Sequence, residues 1–168
     1  FETGVRGVVS SWALLHGLSK NNSDFKTFVM NDIDLINTSS IMKVMDRINV
    51  SGEFIKGNNL DLDLNKNFDL VFIDTLHVYG QLKRELEKYS KIANKYIILH
   101  DTTVDADKGE VIRLGLDIKT IVKQTNFEEA EIVIGLWPAV DEFLNLNKNW
   151  FLHKKYVNNN GLTILQKN

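Results

Sequence analysis

The sequence predicts an α/β fold in which helices lie on both faces of a mostly parallel, seven-stranded sheet. Residues 70–73 and 96–99 are apolar runs without polar alternation, which is typical of strands buried on both faces of a parallel sheet. Between them, apolar residues recur at helical spacing and charged residues occupy the opposite face. The apolar positions of this helix are Val78, Leu82, Leu86, Tyr89 and Ala93. Strand, helix and strand together form a βαβ unit.

The elements before this unit follow in chain order. The opening residues are the tail of a strand and a tight turn, and a helix follows with Ser10 or Ser11 as its cap. Its apolar residues, one turn apart, are Val8, Trp12, Leu15 and Leu18. Residues 25–30 are predicted as the second strand, residues 39–48 as the second helix and residues 53–56 as the third strand.

The C-terminal part is predicted to contain an irregular segment, a helix and two strands. Residues 104–136 are less regular, with a helix over 110–124, and we expect them to form a lid. Pro138 marks the first turn of the next helix. Residues 150–157 and 162–165 then form an antiparallel pair around an Asn-rich turn, which brings the number of strands to seven.

Composition limits the classes of function. With 168 residues, 43% of them hydrophobic, residues 1–168 are predicted to be a single domain, and its start at Phe1 indicates a piece of a longer chain. The formal net charge of −2 gives no support for nucleic-acid or membrane-surface binding. The absence of cysteine excludes disulfides, zinc thiolates and a cysteine nucleophile, and it suits a cytoplasmic protein.

Acidic residues and a histidine follow the two buried strands. Asp74 and Asp101 come directly after the strands, and His77 lies three residues beyond Asp74. In open α/β sheets, ligands bind beyond the carboxyl ends of the strands. Neighbouring strands lie ~4.8 Å apart, so one hard divalent cation could bridge both carboxylates. The sequence therefore predicts a cleft that holds all three side chains.

A second candidate site lies at the first strand-to-helix turn. Glu2, Gly4 and Gly7 form the pattern E-x-G-x-x-G, in which glycines let a ligand approach the backbone near a helix N-terminus. A dinucleotide site would begin with glycine, whereas Glu2 repels phosphates and attracts a cation such as a sulfonium or an ammonium. Asp32, after the second strand, is placed to accept hydrogen bonds from ribose hydroxyls.

With these motifs, the chain resembles class I S-adenosylmethionine-dependent methyltransferases. More narrowly, it resembles the branch that contains cephalosporin-hydroxylase-like proteins and metal-dependent macrolide-sugar O-methyltransferases. The resemblance extends over nearly the whole chain. The stretches that carry it are ETGVRGVVS, FIDTLHVY, ILHDT, and the tail WPAVDEFL followed by NNNGLTIL.

The resemblance implies a Rossmann-like methyltransferase fold and roles for two sets of residues. The cosubstrate set comprises Glu2, Gly4 and Gly7 for the methionine part, Asp32 for the ribose, Gly57 and Asn58 for the adenine edge, and in addition Ser10 and Asp74. The metal set, for Mg or Mn, comprises Asp74, Asp101 and His100. His77 and Asp74 are implied as catalytic residues, with His77 as the general base, and residues 104–136 as a lid or acceptor-binding insertion.

The chain departs from the family pattern at three positions. Val8 stands where many relatives carry another glycine, and Asn58 stands where an Asp is usual. The third departure is His100, which replaces a Glu of the macrolide-sugar enzymes before Asp101. The third metal ligand is therefore open: His100 either coordinates the ion or points into the core.

The activity implied is methyl transfer to a hydroxyl of a sugar, a glycan or a glycosylated small molecule. A metal ion would polarise the acceptor oxygen while His77, with an ordinary pKa of ~6.5, takes its proton. Fusion to glycosyltransferase domains would fit a longer chain. The competing functions are an NAD-dependent oxidoreductase, a metal-free methyltransferase, and a non-catalytic nucleotide-binding or assembly domain of a larger glycosyltransferase.

Simpler structural roles stand beside these hypotheses. Asp74 and Asp101 could cap helices, and His77 could cap the helix that begins near Val78. Trp12 and Trp150 are expected in the core, because aromatic residues at the spacing of an element usually pack inside. Trp137 is expected in the core as well, with stacking against a sugar ring as the alternative.

Overall fold

The computed structural model describes all 168 residues, which divide into two compact units, Phe1–Leu64 and Asn65–Asn168. The chain contains seven strands. Those of the first unit are parallel, and those of the second include an antiparallel pair at the C-terminus. The fold class predicted from the sequence is confirmed. No helix is both long and apolar enough to cross a membrane.

The first unit is a small parallel sheet with two helices. Its elements are β1 (Glu2–Thr3), α1 (Val9–Ser19), β2 (Thr27–Asp32), α2 (Ser39–Arg47) and β3 (Ser51–Lys56), followed by a 3₁₀ turn at Asn59–Asp61. Strand β2 pairs in parallel with both β1 and β3. The helices pack against β2 in a core made of Val5, Leu15, Phe28, Met30, Ile41, Met45 and Val50. All three strands end near one edge, where the candidate cosubstrate residues lie.

The second unit begins with the predicted βαβ unit. Its elements are β4 (Phe68–Ile73), α3 (Tyr79–Tyr89), β5 (Ala93–His100), α4 (Glu110–Arg113), α5 (Ile118–Thr125), α6 (Glu129–Val133), α7 (Trp137–Leu146), β6 (Trp150–Tyr156) and β7 (Leu162–Lys167). Strands β4 and β5 are parallel neighbours, with Ile73 opposite Leu99. Strand β7 runs antiparallel between β5 and β6. Helix α3 packs against α6 and α7.

Several predicted boundaries are wrong. The second strand starts at Thr27, because its pairing with β3 starts there, and Phe25 is 92% exposed. Ala93 opens β5 and does not extend the helix, which ends at Tyr89. The predicted helix over 110–124 is two helices, because Gly115 between them has a φ of 64°, a left-handed conformation that interrupts a helix.

Two of the three tryptophans differ from the expectation of a core position. Trp150 is 4% exposed and packs on Phe143, as predicted. Trp12 is 41% exposed. Trp137 is half-buried, and the ammonium of Lys155 lies 3.4 Å from the centre of its ring, in a cation–π contact. Stacking of a sugar on this face of Trp137 would require Lys155 to move.

The two ends of the predicted lid are bonded to each other. Gly109 N donates to Val133 O at 3.0 Å, and Leu136 N donates to Asp105 O at 2.8 Å. The middle is less tightly packed, since α5 has no fully buried residue. Any lid movement would therefore be confined to the middle of residues 104–136, and the lid itself stays a prediction.

Candidate functional site

Glu2 lies at the start of the turn that connects β1 with α1, and its side chain is fully buried. Ser10 Oγ donates to one carboxylate oxygen at 2.6 Å, and Ser11 Oγ donates to the other at 2.5 Å. The prediction that one of these serines caps α1 is wrong, because Val8 occupies the cap position and no side chain caps the helix. The serines instead hold a buried carboxylate at the end of β1.

The backbone of this turn is sharply bent. Gly4 has a φ of 86° and donates its N–H to Asn31 O at 2.9 Å. Arg6 and Val8 also have positive φ values, 41° and 61°. A β-branched residue rarely adopts this conformation, because its Cβ crowds the following carbonyl. The conformation of Val8 explains physically why glycine would suit this position.

Asp32 closes the same turn from the end of β2. Its carboxylate accepts hydrogen bonds from Arg6 N at 2.8 Å and Asp34 N at 3.0 Å. The side chain therefore fixes the β1–α1 turn in addition to any contact with a ligand. Its predicted contact with a ribose stays a prediction.

Asn31 is a positioning residue that the sequence analysis missed. Its side chain accepts from Thr3 Oγ1 at 2.8 Å and donates to the carbonyl oxygens of Ile55 and Gly57, both at 2.9 Å. One buried amide thus ties together the carboxyl ends of β1, β2 and β3. The available signal was an amide directly after three apolar strand residues, where an apolar side chain would be usual.

Gly57 and Asn58 follow β3. Gly57 donates its N–H to Asp32 O at 2.9 Å. The exposed Asn58 accepts from Leu60 N at 3.1 Å and donates to Asp61 Oδ2 at 3.1 Å, so it caps the 3₁₀ turn. The structure gives Asn58 a local role, and its predicted contact with an adenine stays a prediction.

In the second unit, the predicted residues at the ends of β4 and β5 come together. His77 Nε2 lies 3.1 Å from Asp74 Oδ1. His100 Nδ1 lies 3.0 Å from Asp101 Oδ1 and 3.5 Å from Asp74 Oδ1. His100 thus faces the carboxylates. One donor atom from each of Asp74, His100 and Asp101 lies within 4.8 Å of the others.

Two further carboxylates, which the sequence analysis missed, line the other side of His77. His77 Nδ1 lies 3.2 Å from both Asp101 Oδ2 and Asp105 Oδ2, and 3.6 Å from Glu110 Oε2. Asp105 is fully buried, and Arg113 binds both of its oxygens, at 2.6 and 2.9 Å. The spacing of Asp101 and Asp105, four residues apart, was the only local signal for this contact.

The charges of this acidic cluster shift the pKa values of its members. Burial lowers the pKa of His77, but its hydrogen bond to Asp74 and the charges of Glu110, Asp101 and Asp74 outweigh burial and raise the pKa to about 9. Burial raises the pKa of Asp74, but hydrogen bonds from His100 and His77 prevail, and the pKa falls well below its ordinary value. Asp74 also raises the pKa of His100. The surrounding carboxylates therefore favour the protonated form of His77.

The donor atoms of this cluster fit a hard divalent cation. Three buried atoms lack a well-aligned hydrogen-bond partner: His77 Nδ1, His100 Nδ1 and Asp101 Oδ1. Four carboxylates face two histidines and one arginine, so the cluster carries surplus negative charge. Carboxylate oxygens at strand ends suit magnesium or manganese, whereas an imidazole nitrogen is a softer donor that more often binds zinc, iron or nickel. Asp74, Asp101 and His100 are the residues that would hold the ion, and their role as ligands stays a prediction.

The loop that carries Asp74 and His77 is anchored to α3. Thr75 Oγ1 donates to Glu85 Oε1 at 2.5 Å, and Gln81 Nε2 donates to the same oxygen at 2.8 Å. Glu85 is only 1% exposed. Because a buried carboxylate needs such donors, this contact holds the loop firmly between β4 and α3.

Comparison with known proteins gives the fold. No protein-family model matches the chain. No curated protein matches it either. Several solved structures do match over 99% of its length. TomG, an O-methyltransferase from Streptomyces achromogenes involved in tomaymycin synthesis and solved with S-adenosylmethionine, has a TM-score of 0.56 at 17% identity, and the chain covers 71% of it.

Two other structures show the same similarity. OxaC, solved with S-adenosylhomocysteine and oxaline, has a TM-score of 0.54 at 9% identity, and the chain spans 42% of its length. The ribosomal protein L11 methylase from Lactobacillus delbrueckii subsp. bulgaricus has a TM-score of 0.53 at 12% identity, with 67% of its length covered. The chain therefore has the Rossmann-like fold of these methyltransferases.

Proposed function

We propose that this chain is an S-adenosylmethionine-dependent O-methyltransferase whose acceptor is activated with the help of a divalent cation. The observation that carries the proposal is the convergence of Asp74, His77, His100 and Asp101 at the ends of two neighbouring parallel strands. The fold shared with methyltransferases supports it. The narrower assignment to the cephalosporin-hydroxylase-like and macrolide-sugar branch rests on the sequence motifs.

The first unit supplies all of the proposed cosubstrate residues except Asp74. Glu2 places a buried carboxyl group at the end of β1, and in its ionised form this group would favour a ligand with a sulfonium and an ammonium. Gly4 and Gly7 let such a ligand approach the backbone, and Ser10 holds the carboxylate of Glu2. Asp32, Gly57 and Asn58 would face the ribose and the adenine.

The second unit supplies the proposed acceptor chemistry. A divalent cation held by Asp74, Asp101 and His100 would act as a Lewis acid toward the acceptor hydroxyl. Two of the three carboxylates that raise the pKa of His77, Asp74 and Asp101, are proposed ligands of the cation, so a bound cation would lower that pKa and let His77 accept a proton. In the transfer, the acceptor oxygen forms a bond to the methyl carbon. The carbon–sulfur bond breaks, the sulfur keeps its electron pair, and the hydroxyl proton goes to the imidazole of His77.

A sugar or glycan hydroxyl is the proposed acceptor class. This choice rests on the resemblance of F-I-D-T-L-H-V-Y and I-L-H-D-T to the sugar-modifying branch. A sugar hydroxyl is a weak acid, so a site that pairs a cation with a base suits it. The same resemblance predicts the rest of the acceptor site and the fusion to glycosyltransferase domains.

Isothermal titration calorimetry first tests which cosubstrate the chain binds. We expect S-adenosylmethionine and S-adenosylhomocysteine to bind, and NAD to give no heat. Binding of NAD without S-adenosylmethionine would overturn the proposal in favour of an oxidoreductase. Absence of binding for all three would favour an assembly domain.

A methyl-transfer assay with radiolabelled S-adenosylmethionine and a panel of glycans tests the proposed acceptor chemistry. We expect EDTA to abolish transfer and manganese to restore it. His77→Ala should lower the rate ~10²- to 10⁴-fold, the usual contribution of a general base. A rate unchanged by chelation would show metal-free transfer, and a rate unchanged by His77→Ala would remove this residue from the mechanism.

A further inference from the structure

We infer that Gly161, just before β7, and Thr163, within it, are positioning residues that hold Asp101 in place as a ligand of the proposed cation. The inference rests on the proposed function, which makes Asp101 a ligand, and it extends that function to the C-terminal motif NNNGLTIL. This motif carries part of the family resemblance, but the proposed chemistry gives it no role. Its residues contact the loop that follows β5.

Asp101 has a backbone conformation that its neighbours must maintain. Its φ is 55°, in the left-handed region that favours glycine and, to a lesser degree, Asn and Asp. Such a conformation persists only where surrounding contacts fix it. The place of its carboxylate is also narrowly defined, because Oδ1 lies 3.0 Å from His100 Nδ1 and Oδ2 lies 3.2 Å from His77 Nδ1. A rotation of this backbone would move both oxygens away from the two imidazoles.

The hairpin formed by β6 and β7 contacts the chain on both sides of Asp101. Before this residue, β5 pairs with β7 as far as His100. After it, Thr103 N and Val104 N both donate to Asn160 O, at 2.9 and 3.0 Å. The hairpin therefore holds the residue before Asp101 through the sheet, and it holds the second and third residues after Asp101 through one carbonyl oxygen.

Gly161 allows the hairpin to approach this loop closely. A Cβ at this position would lie 2.4 Å from both Thr103 N and Thr103 Oγ1, so one of the two segments would have to shift. The φ of Gly161 is 100°, a conformation that side chains rarely adopt. Glycine is thus required twice, by its own backbone and by its distance from Thr103. A larger residue would push Thr103, two positions after Asp101, away from the hairpin.

Thr163 makes the second contact with the loop. Its Oγ1 donates to Thr102 Oγ1 at 2.9 Å, and both threonines are fully buried. Because a buried hydroxyl without a partner is costly, this pair fixes the residue that directly follows Asp101. Thr163 itself lies opposite Leu99 in the ladder between β5 and β7, so its position is set by the sheet. The sheet thereby determines the direction of the chain at Asp101.

Titration of the full chain with Mn²⁺, followed by electron paramagnetic resonance, tests the inference. Gly161→Ala should weaken Mn²⁺ binding ~10- to 100-fold, the usual effect of losing a residue that orients a metal ligand. Gly115→Ala is the matched control, because Gly115 also has a left-handed φ, 64°, but a Cβ there would meet nothing within 4 Å. Both variants carry backbone strain, and only Gly161→Ala should lower the affinity. Equal Mn²⁺ affinities of the two variants would overturn the inference.

Thr163→Val is a second variant, which serves also where Gly161→Ala does not fold. It removes one hydroxyl, nearly keeps the shape of the side chain, and should weaken Mn²⁺ binding ~10-fold, at the low end of the same range. Thr163→Ser keeps the hydroxyl and loses a buried methyl group, so it should lower stability and retain the wild-type affinity. Wild-type affinity in Thr163→Val, or an equal loss in Thr163→Ser, would overturn the inference for this residue.

Amide hydrogen exchange in the metal-free chain separates this inference from the proposed function. The side chains of Thr103 and Val104 are exposed, yet both amides should exchange slowly in the wild type and lose this protection in Gly161→Ala. Exchange that Gly161→Ala leaves unchanged would overturn the inference, even where the wild type binds Mn²⁺. Loss of protection, together with no Mn²⁺ binding by the wild type, would instead overturn the proposed function and with it the role of Asp101 as a ligand.

Discussion

Glu2 and Asp74 are both acidic residues at the carboxyl ends of parallel strands, but their surroundings differ. The carboxylate of Glu2 accepts hydrogen bonds from two serine hydroxyls. Asp74 faces two histidine rings, in a cluster that contains three more carboxylates. The hydrogen-bond donors to Glu2 are neutral hydroxyls, whereas the partners of Asp74 are two titratable imidazoles.

The difference shows how two acidic strand ends can serve different ligands. A single buried charge held by fixed hydroxyls is rigid, and it favours one positive group on an organic ligand. A cluster that carries surplus negative charge, and whose buried polar atoms lack hydrogen-bond partners, favours a multiply charged cation. We therefore expect the two regions to respond independently to substitution, to pH and to metal ions.

The largest expected effect is a separation of metal binding from cosubstrate binding. Asp101→Asn should weaken Mn²⁺ binding more than ~100-fold. Loss of a residue that only hydrogen-bonds to a metal ligand lowers metal affinity ~10- to 100-fold, and loss of a ligand itself should lower it more. Asparagine tolerates the left-handed backbone of this position, where φ is 55°. Titration calorimetry with Mn²⁺ and with S-adenosylmethionine measures both affinities.

Glu2→Gln is the matched control for that prediction. It should leave Mn²⁺ binding unchanged and weaken S-adenosylmethionine binding, since it removes the buried charge of the first unit. If each substitution weakened both ligands equally, the comparison between the two regions would fail.

The next effect is a loss of stability of the metal-free protein at alkaline pH. The folded pKa of His77 is about 9, above the ordinary value of 6.5. Protonated His77 therefore contributes fully to the free energy of unfolding below pH 6.5, and this contribution is lost as the pH rises through 9. Its total is about 3 kcal/mol, at ~1.4 kcal/mol per pKa unit. Urea unfolding in EDTA at several pH values measures it. His77→Gln should flatten the profile, and a wild-type profile as flat as that of the variant would contradict the prediction.

The smallest expected effect concerns the turn between β1 and α1, next to Glu2. Val8→Gly should stabilise the protein by about 1 kcal/mol, because it removes a β-branched side chain from a left-handed conformation. Val8→Ala, which keeps a Cβ, should give a smaller gain. Thermal unfolding measures both, and destabilisation by Val8→Gly would show that the packing of Val8 outweighs its backbone strain.

The sequence alone was sufficient to locate the elements and site residues that depend on a local pattern in the chain. Apolar runs without alternation located β4 and β5, and the rule that ligands bind at strand ends located Asp74, His77 and Asp101. The close contacts of these side chains follow from the parallel pairing of the two strands. The fold class was predictable for the same reason, since hydrophobic periodicity distinguishes buried strands from amphipathic helices.

The sequence was insufficient where a contact joins segments far apart in the chain. Glu110 meets His77 across 33 positions, and Asn31 meets Thr3 across 28. Helix boundaries near Gly115 were missed as well, because a single left-handed residue interrupted an otherwise periodic stretch.

By itself, the sequence determined which elements form and which acidic residues stand at their ends, because these depend on periodicity within short segments. The tertiary structure decided which side chains contact each acidic group. It gave two serines to Glu2, Arg113 to Asp105, and only histidines to Asp74 and Asp101. The physical reason is that the partner of a buried charge is chosen by side-chain direction and packing in three dimensions, which no local pattern in the chain specifies.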